Sequence, residues 1–331
     1  MQDVALVVIV LVALGFDYTN GFHDAANAIA TSVSTRALTP RVALALAAAA
    51  NVIGALLATG VAKTVGDGIV AAPAGNEGLL LVFAALIGAI SWNLITWYFG
   101  LPSSSSHALI GGLVGAALAS SGTVKWSGVW EKVVIPMVAS PLVGLVLGYV
   151  VMLALLWGLR RMAPTRVNRG MRHMQVLSAG AMAFGHGTQD AQKTMGVITL
   201  ALVTSGHRSS FDVPLWVVLS AAAAISLGTY SGGWRIMRTL GRRVIKLDPA
   251  GGFAAQSVAS SVLLVTAYVY KVPVSTTHVI TSSLMGVGST RRLSAVKWGV
   301  AGNIAFAWVL TLPAAGAVAA LVWWIAHPLT S

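Results

Sequence analysis

The chain has no cysteine, which excludes disulfides and thiolate metal sites. Charge is nearly as scarce. Asp, Glu, Lys and Arg make up 9% of the 331 residues, and only 9 of them are acidic. Soluble domains carry roughly a quarter charged residues, so an ordinary water-facing globule is excluded. The first apolar run also lacks the basic lead and cleavage pattern of a removable signal peptide. Apolar sequence fills the space: 56% of residues are hydrophobic, mean hydropathy is +0.81, and several stretches reach the roughly 20 residues that cross a bilayer. A net charge of +12 raises the question of nucleic acid. The basic residues, however, lie in short loops between apolar runs, the pattern that orients membrane proteins; the partner expected is lipid, not nucleic acid.

Within this apolar background the chain repeats itself. Asn20-Gly21-Phe22-His23-Asp24-Ala25-Ala26-Asn27 returns as His186-Gly187-Thr188-Gln189-Asp190-Ala191-Gln192-Lys193. Pro102-Ser103-Ser104-Ser105-Ser106-His107 returns as Pro273-Val274-Ser275-Thr276-Thr277-His278. Val124-Lys125-Trp126 returns as Val296-Lys297-Trp298, and Pro141 as Pro313; the offsets are 166, 171, 172 and 172. Polar residues repeated inside apolar sequence mark a transporter with one site between two homologous halves.

The expected fold is an all-α polytopic membrane protein of about ten spans. They fall roughly at 3–33, 41–61, 79–98, 102–121 and 127–158, then at 174–203, 213–231, 250–269, 273–289 and 298–325. The first span of each half is expected to break, near Asn20-Gly21 and near Gly185-His186-Gly187. The short spans that start at Pro102 and Pro273 suggest re-entrant hairpins. With the N-terminus outside, 15 basic residues fall in inside loops and 5 outside (Lys63, Lys125, Lys132, Arg208 and Lys271), with Lys193 alone in a span. This predicts both termini outside. Five crossings per half invert one half relative to the other, so residues 1–158 and 174–331 form two inverted repeats joined by a basic cytoplasmic linker at 159–173. Trp126, Trp130, Trp298, Trp323 and Trp324 suit an interfacial belt.

Asp24 and Asp190 are the leading candidates for chemistry. A carboxylate inside a span costs roughly 2.5–3.5 kcal/mol on insertion scales, so it needs a partner or a task. With Asn27 and Gln189 they form a hard-oxygen set for a coupling ion, Na⁺ or H⁺, and the two aspartates would be the metal ligands if the ion is sodium. The hydroxyl runs Ser104, Ser105, Ser106 and Ser275, Thr276, Thr277 each follow a proline and open a helix, whose N-terminus binds phosphate-like anions. Asn27 and Gln192 complete the anion set. His107, His278 and Lys193 are auxiliary candidates, the two histidines mainly as structural groups. Lys63-Thr64-Val65-Gly66 and Arg238-Thr239-Leu240-Gly241 match weakly, and their threonines either extend the site or close turns. His23 and His186 adjoin the Asp motifs, but without further carboxylates or cysteines at ligand spacing no transition-metal site is expected there.

These motifs resemble the inorganic phosphate transporter (PiT) family, its bacterial low-affinity permeases in particular. Asn20 to Ala28 is similar to the family's first signature, His186 to Thr194 to its second copy, and both Pro-to-His elements match. The resemblance covers nearly the whole chain. It implies symport of inorganic phosphate with H⁺ or Na⁺, no cofactor, a neutral metal–phosphate complex as substrate in bacterial members, an inner-membrane location and a homodimer. It points to Asp24, Asn27, Asp190 and the hydroxyl runs as the site. One departure concerns the ion: where the family has Gly-Ala-Asn-Asp, this chain has Gly21-Phe22-His23-Asp24 and Gly187-Thr188-Gln189-Asp190.

Other readings have their own requirements. A sulfate or other oxyanion permease would use the same hydroxyls and helix ends; phosphate differs in bringing a proton that an aspartate can accept. A channel would conduct rather than saturate. An intramembrane lipid phosphatase needs a nucleophilic histidine oriented by a carboxylate and a basic clamp; the sequence shows neither behind Pro102 to His107, so no enzymatic activity is expected.

Overall fold

Backbone groups in hydrocarbon find no water to bond, so apolar runs of membrane length close their hydrogen bonds within helices. A computed structural model describes residues 2–330, and they are helical almost throughout. The first half comprises α1 (Gln2–Ser34), α2 (Pro40–Leu56), α3 (Gly60–Asp67), α4 (Asn76–Phe99), α5 (Ser105–Ala119), α6 (Trp126–Val129) and α7 (Ile135–Leu159). The second comprises α8 (Pro164–Thr204), α9 (Leu215–Ser231), α10 (Trp234–Arg238), α11 (Pro249–Val265), α12 (Thr276–Ser289) and α13 (Trp298–Thr330). Two short strands, β1 (Val70–Ala71) and β2 (Thr123–Val124), pair antiparallel.

Among the described residues five helical runs are long and apolar enough to cross a membrane, and seven if the bent pairs α2–α3 (76°) and α9–α10 (56°) each count as one. The remaining expected spans differ for clear reasons. With 15 and 14 residues, α5 and α12 are too short to cross. Polar residues through the middle of the 41-residue α8 leave it without an apolar stretch of membrane length.

Both expected breaks are absent. α1 runs unbroken through Asn20-Gly21, and α8 through Gly185-His186-Gly187. These glycines serve helix approach instead. A Cβ on Gly21 would stand 2.3 Å from the Ile225 carbonyl oxygen of α9, and one on Gly187 2.2 Å from that of Asn51 in α2. The opposing faces are equally bare, since a Cβ on Gly228 would meet Tyr18 O at 2.1 Å and one on Gly54 would meet Phe184 O at 2.1 Å. Small residues let backbones meet where membrane helices cross, and here they do so twice, α1 on α9 and α8 on α2. The basic segment 159–173 is also mostly helix, because α8 begins at Pro164; proline suits that first position.

α1 and α8 lie antiparallel: Gln2 Nε2 donates to Ser205 O (3.4 Å), while Thr35 Oγ1 donates to Gln175 Oε1 (2.6 Å) at the other end. α4 packs on α5 and α11 on α12, forming two hairpins. The β1–β2 pair ties both limbs of the first hairpin to one end of the bundle. The Asp248–Arg291 ion pair and the Lys297 N–H bond to Val244 O (3.0 Å) tie the second to the opposite end. Each hairpin is covered by the long helix of the other half, α13 on α5 and α7 on α12. Two apolar clusters result. One takes in Leu6, Ile9 and Phe16 of α1 with Val197 and Ile198 of α8; the other takes in Ala26 and Ile29 with Met182 and Ala183. Between them, in the middle of both helices, lies a polar layer. Trp126, Trp130, Trp298 and Trp324 are exposed as expected of a belt, but Trp323 is buried and stacks on His327.

Candidate functional site

The hairpin tips meet inside the bundle. Each tip turns through a left-handed residue, Gly100 (φ 65°) and Lys271 (φ 52°), and each turn is held by a threonine from the other half. Thr239 Oγ1 donates to Gly100 O (2.8 Å) and Thr64 Oγ1 to Lys271 O (2.8 Å). The weakly matching threonines therefore brace the hairpins and do not extend the site. Ser104 and Ser275 are N-caps, their hydroxyls accepting from the N–H of His107 and His278 at 3.2 Å. Capping leaves other first-turn N–H groups of α5 and α12 facing forward without intrahelical partners. Ser106 Oγ reaches Val274 O of the opposite tip (3.4 Å).

Onto these tips α1 and α8 bring their polar turns. Asp24 and Asp190 share one hydroxyl: Thr276 Oγ1 donates toward Asp24 Oδ2 (3.2 Å) and lies 3.5 Å from Asp190 Oδ2. Thr277 Oγ1 lies 3.4 Å from Asp24 Oδ1. Asn27 Nδ2 donates to Thr277 Oγ1 (2.8 Å) and Thr276 Oγ1 (3.2 Å). Lys193 Nζ donates to Asp190 Oδ1, to Ser106 Oγ and to Val274 O. All of these side chains are buried. Asp24, Asn27, Asp190, Lys193, Ser106, Thr276 and Thr277 thus converge on one centre.

The other predicted residues frame it. Ser105 Oγ is buried with no partner among the described residues. An unbroken α8 turns Gln192 away: its Oε1 accepts from Val61 N–H (2.7 Å) and its Nε2 donates to Thr188 O (2.5 Å). Gln189 Nε2 holds the end of α11 through Thr266 Oγ1 (2.9 Å). His107 and His278 meet ring to ring at 4.8 Å, and His278 stacks on Trp308 at 4.0 Å, so they pack the tips together.

Folding also supplies carboxylate partners that spacing did not reveal. His23 Nδ1 lies 2.5 Å from Asp24 Oδ1, with its Nε2 3.1 Å from Thr96 Oγ1. His186 Nε2 lies 3.1 Å from Asp190 Oδ2. Asn51 gives its amide N–H to Thr229 Oγ1 (2.7 Å), so its oxygen faces His186 Nδ1 (3.1 Å) and takes the ring hydrogen there. With Nδ1 engaged by Asn51, the Nε2 of His186 is the ring atom that faces Asp190. Ligand atoms of Asp24, His186 and Asp190 lie within 4.8 Å of one another. Of the two histidines adjoining the Asp motifs, His186 is the one in this group.

Asp17 was missed. It is fully buried, neither carboxylate oxygen has a partner among the described residues, and Asn20 and Thr194 lie beside it. The signal was its position seven residues before Asp24, two turns along the same face of α1.

With this geometry in view, comparison with known proteins is decisive. The model of the phosphate transporter family matches residues 20–167 and 158–319. The chain belongs to that family. It is 47% identical over 331 residues to a probable low-affinity inorganic phosphate transporter of Mycobacterium bovis, covering 99% of this chain and 79% of the relative. It is 48% identical over 328 residues to one of Rhizobium meliloti, covering 97% and 96%. Among solved structures it resembles one described as the sodium-dependent phosphate transporter, with a TM-score of 0.88 at 24% identity over 98% of this chain and 100% of that one. That likeness establishes a shared fold.

Proposed function

We propose that this protein is a secondary transporter that imports inorganic phosphate, alone or as a metal–phosphate complex, with a coupling cation, Na⁺ or H⁺, by alternating access. The observation that carries this reading is the Thr276 hydroxyl reaching both Asp24 and Asp190: residues from both halves enclose one buried polar centre. Ser104, Ser105, Ser106, Ser275, Thr276 and Thr277, with Asn27, present hydroxyls, an amide and two facing helix N-termini to an oxyanion. Asp24 and Asp190, aided by Asn27, form the coupling site, and Gln189 and Gln192 brace the surrounding helices. Two inverted repeats, 1–158 and 174–331, are supported by the antiparallel α1 and α8 and by hairpins entering from opposite ends. Ten chain segments then pass through or into an inner membrane.

Both termini are placed outside. In support, Arg169 and Arg172 lie with Ala37 at the end where α1 stops, and Arg291 and Lys297 are tied to the bundle end where α12 finishes. The functional unit is a homodimer, testable by light scattering of the purified protein.

The test of transport is uptake of labelled phosphate into proteoliposomes, with pH and sodium gradients imposed separately and unlabelled sulfate as competitor. Saturable uptake driven by one gradient and resistant to sulfate is expected. Conductance without saturation, or equal competition by sulfate, would overturn the reading.

A further inference from the structure

Asn27 and Lys193 are matching residues of the internal repeat. They also make matching contacts. Asn27 Nδ2 donates to Thr277 Oγ1 (2.8 Å) on the second hairpin, and Lys193 Nζ donates to Ser106 Oγ on the first; Ser106 and Thr277 are themselves counterparts at offset 171. The frame is the same and the charge is not. Beside Asp24 stands a neutral amide. Beside Asp190 stands an ammonium.

The surroundings of that ammonium have the composition of a cation site. A lysine ammonium has three donors and no acceptor. Lys193 gives them to a carboxylate oxygen (Asp190), a hydroxyl (Ser106) and a backbone carbonyl (Val274, 3.4 Å) at the tip of a hairpin. Carboxylate, hydroxyl and non-helical carbonyl oxygens are what transporters assemble around a coupling sodium. The side chain is 1% exposed, so snorkelling to an interface does not explain it. Among the described residues Asp24 has no such tethered charge: it meets a histidine and two threonine hydroxyls.

We propose that the Lys193 ammonium is a resident cation that occupies the Asp190 half of the coupling site, leaving only the Asp24 half to take an exchangeable ion. The chain would then couple phosphate to one cation fewer per cycle than a protein with amides in both places. This deepens the transport reading and rests on it.

Replacing Lys193 by the residue of the first copy tests the idea. Wild type, Lys193→Asn and Lys193→Asn/Asp190→Asn are purified and melted without phosphate, in NaCl or choline chloride up to roughly 100 mM. Lys193→Asn is expected to gain several degrees with sodium beyond any gain in wild type, and the double variant to lose that gain. In proteoliposomes, phosphate uptake by Lys193→Asn is expected to depend more steeply on sodium, with a Hill coefficient about one unit higher than wild type. Lys193→Gln carries the same expectations and serves if Lys193→Asn does not fold. A sodium response of melting no different from wild type would overturn the proposal. Failure of wild type to take up phosphate would instead overturn the transport reading, and the melting comparison would still decide this one.

Discussion

The two arms of the polar centre share a backbone and differ in what they do with a buried acid. In the first arm Asp24 is held by His23, Thr276 and Thr277, none of them permanently charged. In the second, Asp190 is held by Lys193, with His186 alongside. Equivalent hairpins, equivalent threonine braces and equivalent glycine crossings present both acids to the same space. Architecture therefore places the charges, while single side chains decide which acid must find a partner from outside. An acid paired internally with an ammonium has its charge already balanced; one met only by hydroxyls and an imidazole has not.

The strongest way to break this comparison is to neutralise each acid. Asp24→Asn and Asp190→Asn are both expected to abolish gradient-driven phosphate uptake while expression stays near normal. Normal uptake in both would end the proposed role. Their stabilities should then diverge. Asp190→Asn strands the Lys193 ammonium, and removing one partner of a buried pair costs about 3–5 kcal/mol, so its melting temperature falls well below that of Asp24→Asn. Adding Lys193→Asn should recover much of the loss; equal melting of the two single variants would show that the arms are not different after all.

The glycine crossings come next. Gly21→Ala and Gly187→Ala each place a methyl against backbone, at 2.3 and 2.2 Å in the unrelaxed structure, where no side-chain rotation relieves the clash. Overpacking of this kind costs about 1–3 kcal/mol. Both variants should melt lower by similar amounts, since the two crossings are counterparts. A large effect at one and none at the other would break the correspondence between α1 on α9 and α8 on α2.

These glycines also mark where sequence reading stopped. The repeat, the helical class and the convergence of Asp24, Asn27, Asp190 and the hydroxyl runs were legible, because buried polar residues in apolar sequence carry a high cost and so signal purpose. Glycine beside polar residues reads equally as a break or as a close approach, and only the neighbouring helix distinguishes them. Gln192 followed the same error: on a broken helix it reaches the centre, on an intact one it faces α3. The His23–Asp24 and His186–Asp190 pairs have spacings, one and four residues, that ordinary helices also show by chance. Asp17 lay in plain view but had no counterpart in the second copy, so a search led by the repeat passed over it.

Hydroxyl deletions sharpen the comparison at the level of binding. Thr276→Ala and Ser105→Ala are each expected to raise the apparent KM for phosphate, by roughly tenfold for a hydroxyl bonded to an anion. Stability should separate them. Thr276 links two aspartates and accepts from Asn27, so its loss lowers the melting temperature. Ser105 Oγ has no partner among the described residues, and its loss should leave melting unchanged. An unaltered KM in either variant assigns that residue to structure alone.

The smallest effect tests the hairpin turns. Gly100 and Lys271 occupy matching left-handed positions, a conformation costing roughly 1–2 kcal/mol for a residue with a Cβ. Glycine removes that strain but gives back about 0.5–1 kcal/mol through the freedom of the unfolded chain. Lys271 also packs its stem over Gly60, whose Cβ would lie 3.1 Å from it, and that contact is lost. Lys271→Gly should therefore change stability by no more than about 1 kcal/mol, whereas Gly100→Ala, which acquires the strain and meets Arg235 O at 3.3 Å, should be clearly destabilised. A melting comparison of the two variants decides it. If Lys271→Gly is the more damaging, the lysine side chain and not the turn holds the second hairpin, and the two tips are built on different principles despite their common shape.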